Sequence, residues 1–553
     1  MCTLSKPIGT ILVLLAVCLF GQLAHAKYSG GRGVPNDPYR IATVADLIAL
    51  GETPGDYGKH FVLVADIDLD PNLPGRKVFT KAVIAPDTDA IKTGYQRTSF
   101  VGVFAGNGHR ISHLTIQGKD DVGLFGALAS GAEVKNLGVM DINVTGSGSW
   151  VGGLVGHNGG SVAQCYSTGV VSGSGQHGSI GGLVGYNWGA LTQCYSTGVV
   201  SGTDHVGGLV GENGYGVIGT VTQCYSTGTV SGKDFVGGLV GYNWGPVTQC
   251  YSTGAVSGSH NYVGGLVGEN GYGYGITVTQ CYSTGAVNGK GCVGGLVGRN
   301  YGSISTSSST GSVSGDLYVG GLVGGNLGTV TQCSSTGVVS GSSNNNNYVG
   351  GLVGYNTNLG TVTQCSSTGA VGGSNNYYYV GGLMGYNLGT ATQCYSTGPV
   401  SGKSSVGGLV GYNERDVLAC FWDTQTSGQA TSAGGTGKTT AQMQTAKTFL
   451  AAGWDFVGET KNGTDDIWLI LEGEGYPRLV WELTMDKPQQ TVGPTLTVES
   501  PISGRRHYGI WRIVESARPH APALWLLTNW PTSACPHTHP QICGAKGIIE
   551  LLL

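Results

Sequence analysis

Small or apolar residues alternate with polar or aromatic ones in a segment that recurs along the middle of the chain. In one copy the first series is Cys194, Ser196, Gly198 and Val200, and the second is Tyr195, Thr197 and Val199. A period of two is typical of β-strands, because successive side chains of a strand point to opposite faces. Glycine at this density would also destabilise a helix by about 1 kcal/mol per residue. The segment therefore predicts strands.

Each of these segments follows a version of Val-Gly-Gly-Leu-Val-Gly-x-Asn, and the combined repeat occurs ten times. The motif leucines lie 26 to 31 residues apart, at Leu154, Leu183, Leu209, Leu239, Leu266, Leu296, Leu322, Leu352, Leu383 and Leu409. A unit of this length cannot bury a core alone, which indicates a stacked solenoid. Taken as one strand, the leading motif would place Leu266 and Val267 on opposite faces.

Three extended runs in each repeat, with length variation confined to two turns, favour one coil of a three-sided β-helix. A propeller blade usually needs about 40 residues, more than this repeat has. The sequence therefore predicts an all-β fold: a right-handed parallel β-helix of about twelve coils with small N- and C-terminal capping segments.

The repeat and the changes in composition divide the chain into six segments. They are a signal peptide at 1–26, an N-terminal cap at 27–98, degenerate coils at 99–150, the repeat solenoid at 151–420, a C-terminal cap at 421–482, and a linker and tail of unassigned fold at 483–553. Caps are expected because a solenoid leaves strand edges open at its ends. Within the caps we predict a helix over 41–50, a strand over 61–69, a helix from Thr439 or Thr440 to Leu450, and strands over 467–471 and 479–481.

The N-terminus has the features of an export signal. Lys6 supplies a positive charge, residues 11–20 are apolar, and Ala24-His25-Ala26 is a small-x-small cleavage site. We therefore expect a protein that is secreted or displayed at the cell surface. After removal of the signal, no apolar run reaches the roughly 20 residues of a membrane span.

Two residue types recur in one register and predict structural columns. Stacked asparagines would form an amide ladder, and the series is Asn158, Asn187, Asn213, Asn243, Asn270, Asn300, Asn326, Asn356, Asn387 and Asn413. The cysteine series is Cys165, Cys194, Cys224, Cys250, Cys281, Cys333, Cys365, Cys394 and Cys420, with Ser307 in the remaining copy. Parallel Cβ vectors favour buried free thiols, while a series of disulfides stays the alternative in an exported protein.

The outward positions of the same segment carry the candidate ligand-binding site. Five tyrosines should stack along one face, at Tyr166, Tyr195, Tyr225, Tyr251 and Tyr282, and Tyr395 is expected to join them further along. A threonine column runs beside them. An aromatic row flanked by hydroxyls could bind a polysaccharide chain or another component of the cell envelope. The alternative is stacking between coils that only stabilises the sheet.

Composition and motifs argue against other kinds of function. Only 11% of the residues are charged, and the net charge of −4 is not that of a nucleic-acid binder. No His-Glu-x-x-His zinc motif occurs, and the spacing of Cys535, His537, His539 and Cys543 matches no standard metal site. The Gly-rich stretch before Thr440 has Ser432 where a phosphate loop needs glycine. We therefore predict no metal and no cofactor.

The repeat itself offers no pair of carboxylates for acid/base catalysis, since its few charged residues fall at corners. A carbohydrate-active enzyme of the β-helix type, either a polysaccharide lyase or a hydrolase, is the alternative function. Its site would have to lie at a corner loop or in the caps, which contain Asp66, Asp68, Asp70 and Asp465.

At Val-Gly-Gly-Leu-Val-Gly-x-Asn with Cys-Tyr-Ser-Thr-Gly, the chain resembles the GLUG repeats of bacterial surface and secreted proteins. Such repeats also occur beside the catalytic part of immunoglobulin A-cleaving zinc proteases and in adhesin-like exoproteins. The chain lacks the zinc motif of those proteases, so the resemblance does not imply peptidase activity. It implies an exported, non-catalytic repeat protein that serves adhesion or binds glycan.

Overall fold

The computed structural model describes residues 27–87, 98–175, 178–214, 219–271, 273, 275–342, 347–373 and 378–485. The chain forms two compact units, the first ending at Trp481 and the second running from Glu482 to Leu553. In the second unit only one short helix, Glu482–Met485, is described. The predicted signal peptide, the cysteines and histidines near residue 540, and most of the predicted tail lie outside the described residues.

The first unit is a parallel β-solenoid, which confirms the predicted fold class. Each regular coil passes in turn through four sheets, which we name the leading sheet, the asparagine sheet, the Thr-Val-Thr sheet and the tyrosine sheet after the residues they carry. The leading sheet has ten strands and so counts ten regular coils. The N-terminal segments add further strands to the other sheets, and the Thr-Val-Thr sheet reaches 14 strands.

The strands of the leading sheet are Val151–Gly152, Ile180–Gly181, Val206–Gly207, Val236–Gly237, Val263–Gly264, Cys292–Gly294, Tyr318–Gly320, Asn347–Gly350, Tyr378–Gly381 and Val406–Gly407. Those of the asparagine sheet are Phe125–Leu128, Val155–Asn158, Val184–Asn187, Val210–Asn213, Val240–Asn243, Val267–Asn270, Val297–Asn300, Val323–Asn326, Val353–Asn356, Met384–Asn387 and Val410–Asn413.

The Thr-Val-Thr sheet comprises Tyr39–Ile41, His60–Leu63, Val103–Ala105, Glu133–Lys135, Ser161–Ala163, Ala190–Thr192, Thr220–Thr222, Val247–Thr248, Thr277–Thr279, Ser303–Ser305, Thr329–Thr331, Thr361–Thr363, Thr390–Thr392 and Val417–Leu418. The tyrosine sheet begins with Ile67–Asp68, Arg110–Ser112, Thr115–Gly118, Gly138–Gly146 and Tyr166–Gly173. Its next strands are Tyr195–Ser196, Val199–Ser201, Tyr225–Ser226, Val230–Gly232, Tyr251–Ser252, Val256–Gly258, Tyr282–Ser283 and Val287–Gly289. It ends with Ser308–Ser309, Val313–Gly315, Ser334–Ser335, Val339–Gly341, Ser366–Ser367, Val371–Gly373, Tyr395–Ser396, Val400–Ser401, Phe421–Asp423 and Thr436–Lys438.

Neighbouring coils pair in parallel with matching residues opposite each other. Asn213 lies opposite Asn243 and Tyr195 lies opposite Tyr225. In this arrangement each motif position becomes a column along the solenoid, with a spacing of about 4.8 Å between coils. One hydrophobic cluster runs through the interior from Ile41 to Trp422.

The leading motif is not one strand, because the chain turns a corner within it. Val206–Gly207 belongs to the leading sheet and Val210–Asn213 to the asparagine sheet. A Cβ atom at Gly207 would lie 1.8 Å from the carbonyl oxygen of Val210, so this turn closes only around glycine. Because of the corner, Leu266 and Val267 are both fully buried, and the prediction that they lie on opposite faces is wrong.

A second corner lies at the residue that precedes each ladder cysteine, which is glutamine except for Ala419 before Cys420. Gln193, Gln249 and Gln280 all adopt the left-handed conformation, with φ of 54° to 55°. Their side chains continue the stacking on the outside, where Gln223 Nε2 donates to Gln249 Oε1 over 3.2 Å. Sequence analysis did not single out these glutamines, since left-handed corners are more typical of glycine and asparagine.

At the N-terminus, helix α1 (Val44–Gly51) begins after Thr43, whose side-chain oxygen accepts the backbone N–H of Asp46. A single 3₁₀ turn, Pro54–Asp56, follows. The strand predicted over 61–69 is two strands, because the chain turns from the Thr-Val-Thr sheet at His60–Leu63 to the tyrosine sheet at Ile67–Asp68. The end of the first coils is thus covered by chain that joins the same sheets.

At the C-terminus, the single predicted helix is two short ones, α2 (Thr440–Met443) and α3 (Ala446–Leu450), because Thr445 between them is extended. Thr439 caps α2 by accepting the backbone N–H of Gln442. Trp468–Leu469 and Arg478–Leu479 then form an antiparallel hairpin. Among the described residues, no helix combines the length and apolar character needed to cross a bilayer.

The motif asparagines point inward and bond to one another along the solenoid. Each Nδ2 donates to the Oδ1 of the next asparagine over 2.7 to 2.9 Å, from Asn158 through to Asn413. The first nine are fully buried. The ladder thereby satisfies polar groups that would be costly to bury without a partner.

The ladder cysteines are also inside, as free thiols. The Sγ of Cys194 donates to the carbonyl oxygen of Thr192 over 3.4 Å, and its backbone N–H donates to the Sγ of Cys224 over 3.3 Å. Burial raises the pKa of the Cys165 thiol to about 12. The ladder thiols pack as small apolar side chains, and the Cys165 thiol is held in the protonated, weakly nucleophilic form.

Replacing Val267 with Asp should lower the free energy of unfolding by about 3 kcal/mol or more, because an unpaired carboxylate would enter the core. Urea unfolding followed by circular dichroism measures the change. Ala255→Asp is the matched control, because Ala255 is exposed in the preceding coil, and it should cost at most about 0.5 kcal/mol. Equal stability of the two variants would contradict the inward placement of Val267.

Replacing Asn243 with Ala removes both ladder bonds of this side chain, which connect it to Asn213 and Asn270. We expect a loss of about 2 to 4 kcal/mol, because two buried polar atoms lose their partners. Gln223→Ala interrupts the exposed glutamine ladder instead and should cost about 0.5 kcal/mol. Thermal and urea unfolding of both variants test this difference, and an Asn243→Ala protein as stable as Gln223→Ala would refute it.

The ladder thiols should resist alkylation by iodoacetamide in the native protein and react when the protein is unfolded in urea without a reductant. The expected reason is burial, which blocks access of the reagent to the thiols. Peptide mass mapping identifies the modified cysteines. Ladder peptides joined in pairs, each pair lighter by two hydrogens, would instead establish disulfides.

Candidate functional site

The five predicted tyrosines form one continuous stack on the outer side of the tyrosine sheet. Ring centroids of successive tyrosines, from Tyr166 to Tyr282, are 4.8 to 4.9 Å apart, and the planes differ by only 2° to 5°. Each ring is half-buried. The stack follows from the register of the strands, which repeats one side chain at every coil.

The faces of these rings are turned toward each other. A Cβ atom at Gly138 would lie 2.4 Å from Cζ of Tyr166, which shows that the rings lean toward the N-terminal end, over the preceding coil. Ring edges and hydroxyl groups therefore form the accessible part of the stack. Burial raises the pKa of Tyr195, Tyr225 and Tyr251 to about 12 each, so their hydroxyls keep their protons and can donate hydrogen bonds.

A column of exposed threonines lies beside the stack, two residues further along each strand. Its exposed members are Thr197, Thr227, Thr253, Thr284, Thr310, Thr336 and Thr368. At the N-terminal end, Thr168 instead accepts the backbone N–H of Asp141 over 2.8 Å. The outer face thus presents two neighbouring rows of hydroxyl groups, both uncharged.

The tyrosine stack ends before the last coils, and Tyr395 does not join it. Ser308, Ser334 and Ser366 occupy the three intervening positions of the column. Tyr395 is buried beneath the C-terminal cap, where its ring lies 6.3 Å from that of Trp454 and its hydroxyl donates to the carbonyl oxygen of Pro477. The cap folds back over this face, a long-range contact that the repeat pattern does not contain.

A second aromatic surface, which sequence analysis missed, follows the corner between the leading and asparagine sheets. We call it the corner band. It consists of the residue before each Val-Gly-Gly and the variable residue of each Val-Gly-x-Asn, including Trp150, His157, Tyr186, His205, Phe235, Tyr242, Tyr262, Tyr318, Tyr348, Tyr355, Tyr379, Tyr386 and Tyr412. Its rings contact each other across coils. The ring centroids of Tyr348 and Tyr386 are 4.6 Å apart, and those of Tyr386 and Tyr412 are 4.7 Å apart. The signal available in the sequence was the frequency of aromatics at these two positions.

The corner band also contains three charged residues of the middle coils, Glu212, Glu269 and Arg299. Glu269 is buried, and burial raises its pKa to about 7 despite Arg299, whose Nη1 lies 3.9 Å from the carboxylate. Arg299 donates to the hydroxyl of Tyr262 over 2.6 Å. Glu212 lies two coils before Glu269 in the same column, with Tyr242 between them. These charges are packed among the aromatic rings of the corner band.

Of the four cap residues that the enzyme hypothesis named, Asp66, Asp68 and Asp70 have carboxylates engaged in local pairs. Asp66 accepts from Arg110 over 2.9 Å and lies 3.1 Å from His109, while Asp68 lies 2.8 Å from His113. Asp70 accepts from the Asn72 side chain, and the backbone N–H of Asp465 donates to Asp455. Within the part of the chain that is described, no group of three or more His, Cys, Asp or Glu residues could hold a metal ion.

The Gly-rich stretch before Thr440 is also structural. Thr436–Lys438 is the last strand of the tyrosine sheet and pairs with Phe421–Asp423. Thr439, which follows it, is the cap of α2. The stretch therefore closes the sheet and starts a helix, as its sequence context predicted.

Two curated proteins are similar to parts of this chain. Halomucin of Haloquadratum walsbyi is 35% identical over 164 residues, which cover 29% of this chain and 2% of halomucin. A protein of Evansella cellulosilytica, provisionally described as a Gly-rich membrane protein, is 34% identical over 146 residues, which cover 25% of this chain and 15% of that protein. The chain thus spans only a small part of either relative, and neither name describes an enzyme.

A solved structure from Bacteroides ovatus, provisionally assigned as an immunoglobulin A1 protease, matches with 16% identity over 83% of this chain and 97% of its own. Its TM-score of 0.28 is too low to carry an argument about fold or function.

The family model described as the GLUG motif matches five segments, at residues 176–201, 202–231, 289–314, 315–340 and 345–372, together about a quarter of the chain. These five segments of the solenoid therefore carry the GLUG motif.

Proposed function

We propose that this protein is an exported, non-catalytic scaffold at the cell surface and that it binds polysaccharide along the tyrosine stack. The observation that carries the proposal is the stack of five rings from Tyr166 to Tyr282. The planes of successive rings are parallel to within 5°. Similarity to proteins named halomucin and Gly-rich membrane protein supports the surface location. The predicted signal peptide agrees with export.

The chemistry of this face suits a neutral, repeating ligand. In the five coils from Tyr166 to Tyr282, tyrosine and threonine hydroxyls form two rows with one group of each kind per coil, about 4.8 Å apart. A polysaccharide likewise presents hydroxyl groups at a regular interval along its chain. Several weak hydrogen bonds to successive sugars would act together, because the first contact brings the next sugar close to the next coil.

The way in which the rings stack determines which atoms can meet the ligand. Inner rings of the stack cover each other's faces, so binding must use their hydroxyl groups and edges. This makes the hydroxyl group, and not the ring, the part to remove in a test. Replacing tyrosine with alanine would also remove packed apolar surface, and loss of binding could not then be separated from loss of stability.

The triple variant Tyr195→Phe, Tyr225→Phe, Tyr251→Phe should keep the stack and lose the hydroxyl row. We expect retention on insoluble neutral polysaccharides to fall at least tenfold, while the melting temperature changes by no more than about 2 °C. Pull-down on a panel of polysaccharides measures retention. Assay of reducing ends and of unsaturated products in the supernatant checks in parallel for hydrolase or lyase activity.

Conversion of three exposed threonines, Thr197, Thr227 and Thr253, to valine provides a matched control. It removes the same number of hydroxyl groups from the neighbouring row and should weaken retention less than the phenylalanine variant. Unchanged retention by the phenylalanine variant would contradict the proposed binding surface. Release of sugar ends by the wild-type protein would contradict the non-catalytic role.

A further inference from the structure

One coil departs from the repeat on its outer face. Where most coils carry Gln-Cys-Tyr, this coil has Thr306, Ser307 and Ser308. Ser308 lies in register with Tyr282 of the preceding coil and with Ser334 of the following coil. The tyrosine column therefore lacks a ring at Ser308, Ser334 and Ser366, and the gap begins at Ser308, next to Tyr282.

The ring of Tyr282 is stacked on one side only. Tyr251 covers one face, with centroids 4.9 Å apart and planes within 3°. No other ring among the described residues contacts Tyr282, and the next residue of its column, Ser308, is too small to cover the second face. Because the rings lean toward the N-terminal end, this second face is turned toward the gap.

The C-terminal cap closes the far side of the gap. Ser334 is only 4% exposed, whereas Ser308 remains partly exposed. The indole Nε1 of Trp481 donates to the carbonyl oxygen of Gln332 over 2.9 Å, which places the edge of the cap at the coil of Ser334. Two coil spacings, about 9.6 Å, separate the backbone of Tyr282 from that of Ser334. A ring in van der Waals contact with Tyr282, at about 3.5 to 4 Å, fits between them.

We propose that this gap, which we call the Ser308 slot, binds one pyranose ring of a neutral polysaccharide. Tyr282 offers an apolar face for the C–H side of the sugar, and ligand sites commonly combine such a face with a few polar groups. The hydroxyl of Ser308 and the exposed amide of Gln280, two residues before Tyr282, supply the polar groups.

The solenoid residues that line the slot carry no charge, and this favours one class of sugar. Tyr282, Ser308, Thr306, Gln280 and Gln332 are all uncharged. An anionic sugar would lose hydration here without gaining an ion pair, so a neutral sugar is favoured. This inference rests on the proposed function. It adds a site where one sugar is held by the face of its ring, whereas the stack contacts sugars through hydroxyl groups.

Ser308→Tyr is the most direct test, because the new ring would fill the slot and continue the stack on Tyr282. Calorimetric titrations of the full chain with cellohexaose, laminarihexaose and maltohexaose measure binding. We expect the wild type to bind at least one of them, and Ser308→Tyr to bind it at least tenfold more weakly with an unchanged or higher melting temperature. Ser314→Tyr, the same substitution on the same coil outside the slot, should bind as the wild type does.

The two aspects of Tyr282 can be separated in the same assay. Tyr282→Phe keeps the ring face and should retain the hexaose affinity within threefold, whereas Tyr282→Ala should lower it at least tenfold. A Ser308→Tyr protein that binds as tightly as the wild type overturns the proposal, as does a wild type that binds none of the three hexaoses.

Failure of the slot and failure of the proposed function give different results. If the triple phenylalanine variant loses polysaccharide retention while Ser308→Tyr binds normally, the proposed function stands and the slot is wrong. If Ser308→Tyr loses the hexaose while the triple phenylalanine variant is retained on polysaccharide, the slot stands and the hydroxyl row is not the binding surface.

Discussion

Parallel hydrogen bonding between consecutive coils is the constraint on which the rest of this structure depends. Each strand must pair with the equivalent strand of the next coil, because an unpaired backbone group in the interior costs free energy comparable to a lost hydrogen bond. Since the pairing is in register, a residue type that suits one coil must also tolerate a copy of itself about 4.8 Å away. Asparagine meets this condition, because its amide can donate to one neighbour and accept from the other. Cysteine meets it by being small and apolar.

The same constraint explains both the strength and the limits of the tyrosine stack as a functional surface. In-register pairing of the strands is by itself enough to align the five rings. It also directs each face against the next ring, which removes most of the aromatic surface that a ligand could use. Only an interruption, such as the one at Ser308, exposes a face again. A repeat protein of this kind therefore gains a distinct site where the repeat is broken, in addition to the repeated surface.

Much of this fold could be predicted from the sequence, because period-two alternation and a repeat near 30 residues leave few alternatives to a solenoid. The columns of asparagine, cysteine and tyrosine could also be predicted, because the spacing of equivalent residues along the chain shows which of them lie opposite each other in neighbouring coils. The corner inside the leading motif could not be predicted, because alternation describes one flat strand and does not reveal where a chain changes sheets. The direction of Val267 could not be decided from the sequence for that reason. The burial of Tyr395 depends on a contact with Pro477, 82 residues away and outside the repeat. The corner band could not be predicted either, because it forms only when the turns of the chain bring two separate positions of each repeat together.

Distances between spin labels along one column would test the stacking most directly. Labels attached through a genetically encoded keto amino acid at Thr197 and Thr310, four coils apart, should give a backbone separation of about 19 Å in pulsed electron resonance. Moving the second label to Thr336 should add one coil spacing of about 4.8 Å. A linear increase with coil number is the result that in-register stacking requires. Distances that do not grow with coil number would show that equivalent residues do not lie above one another, and would contradict this account of the fold and of both proposed binding surfaces.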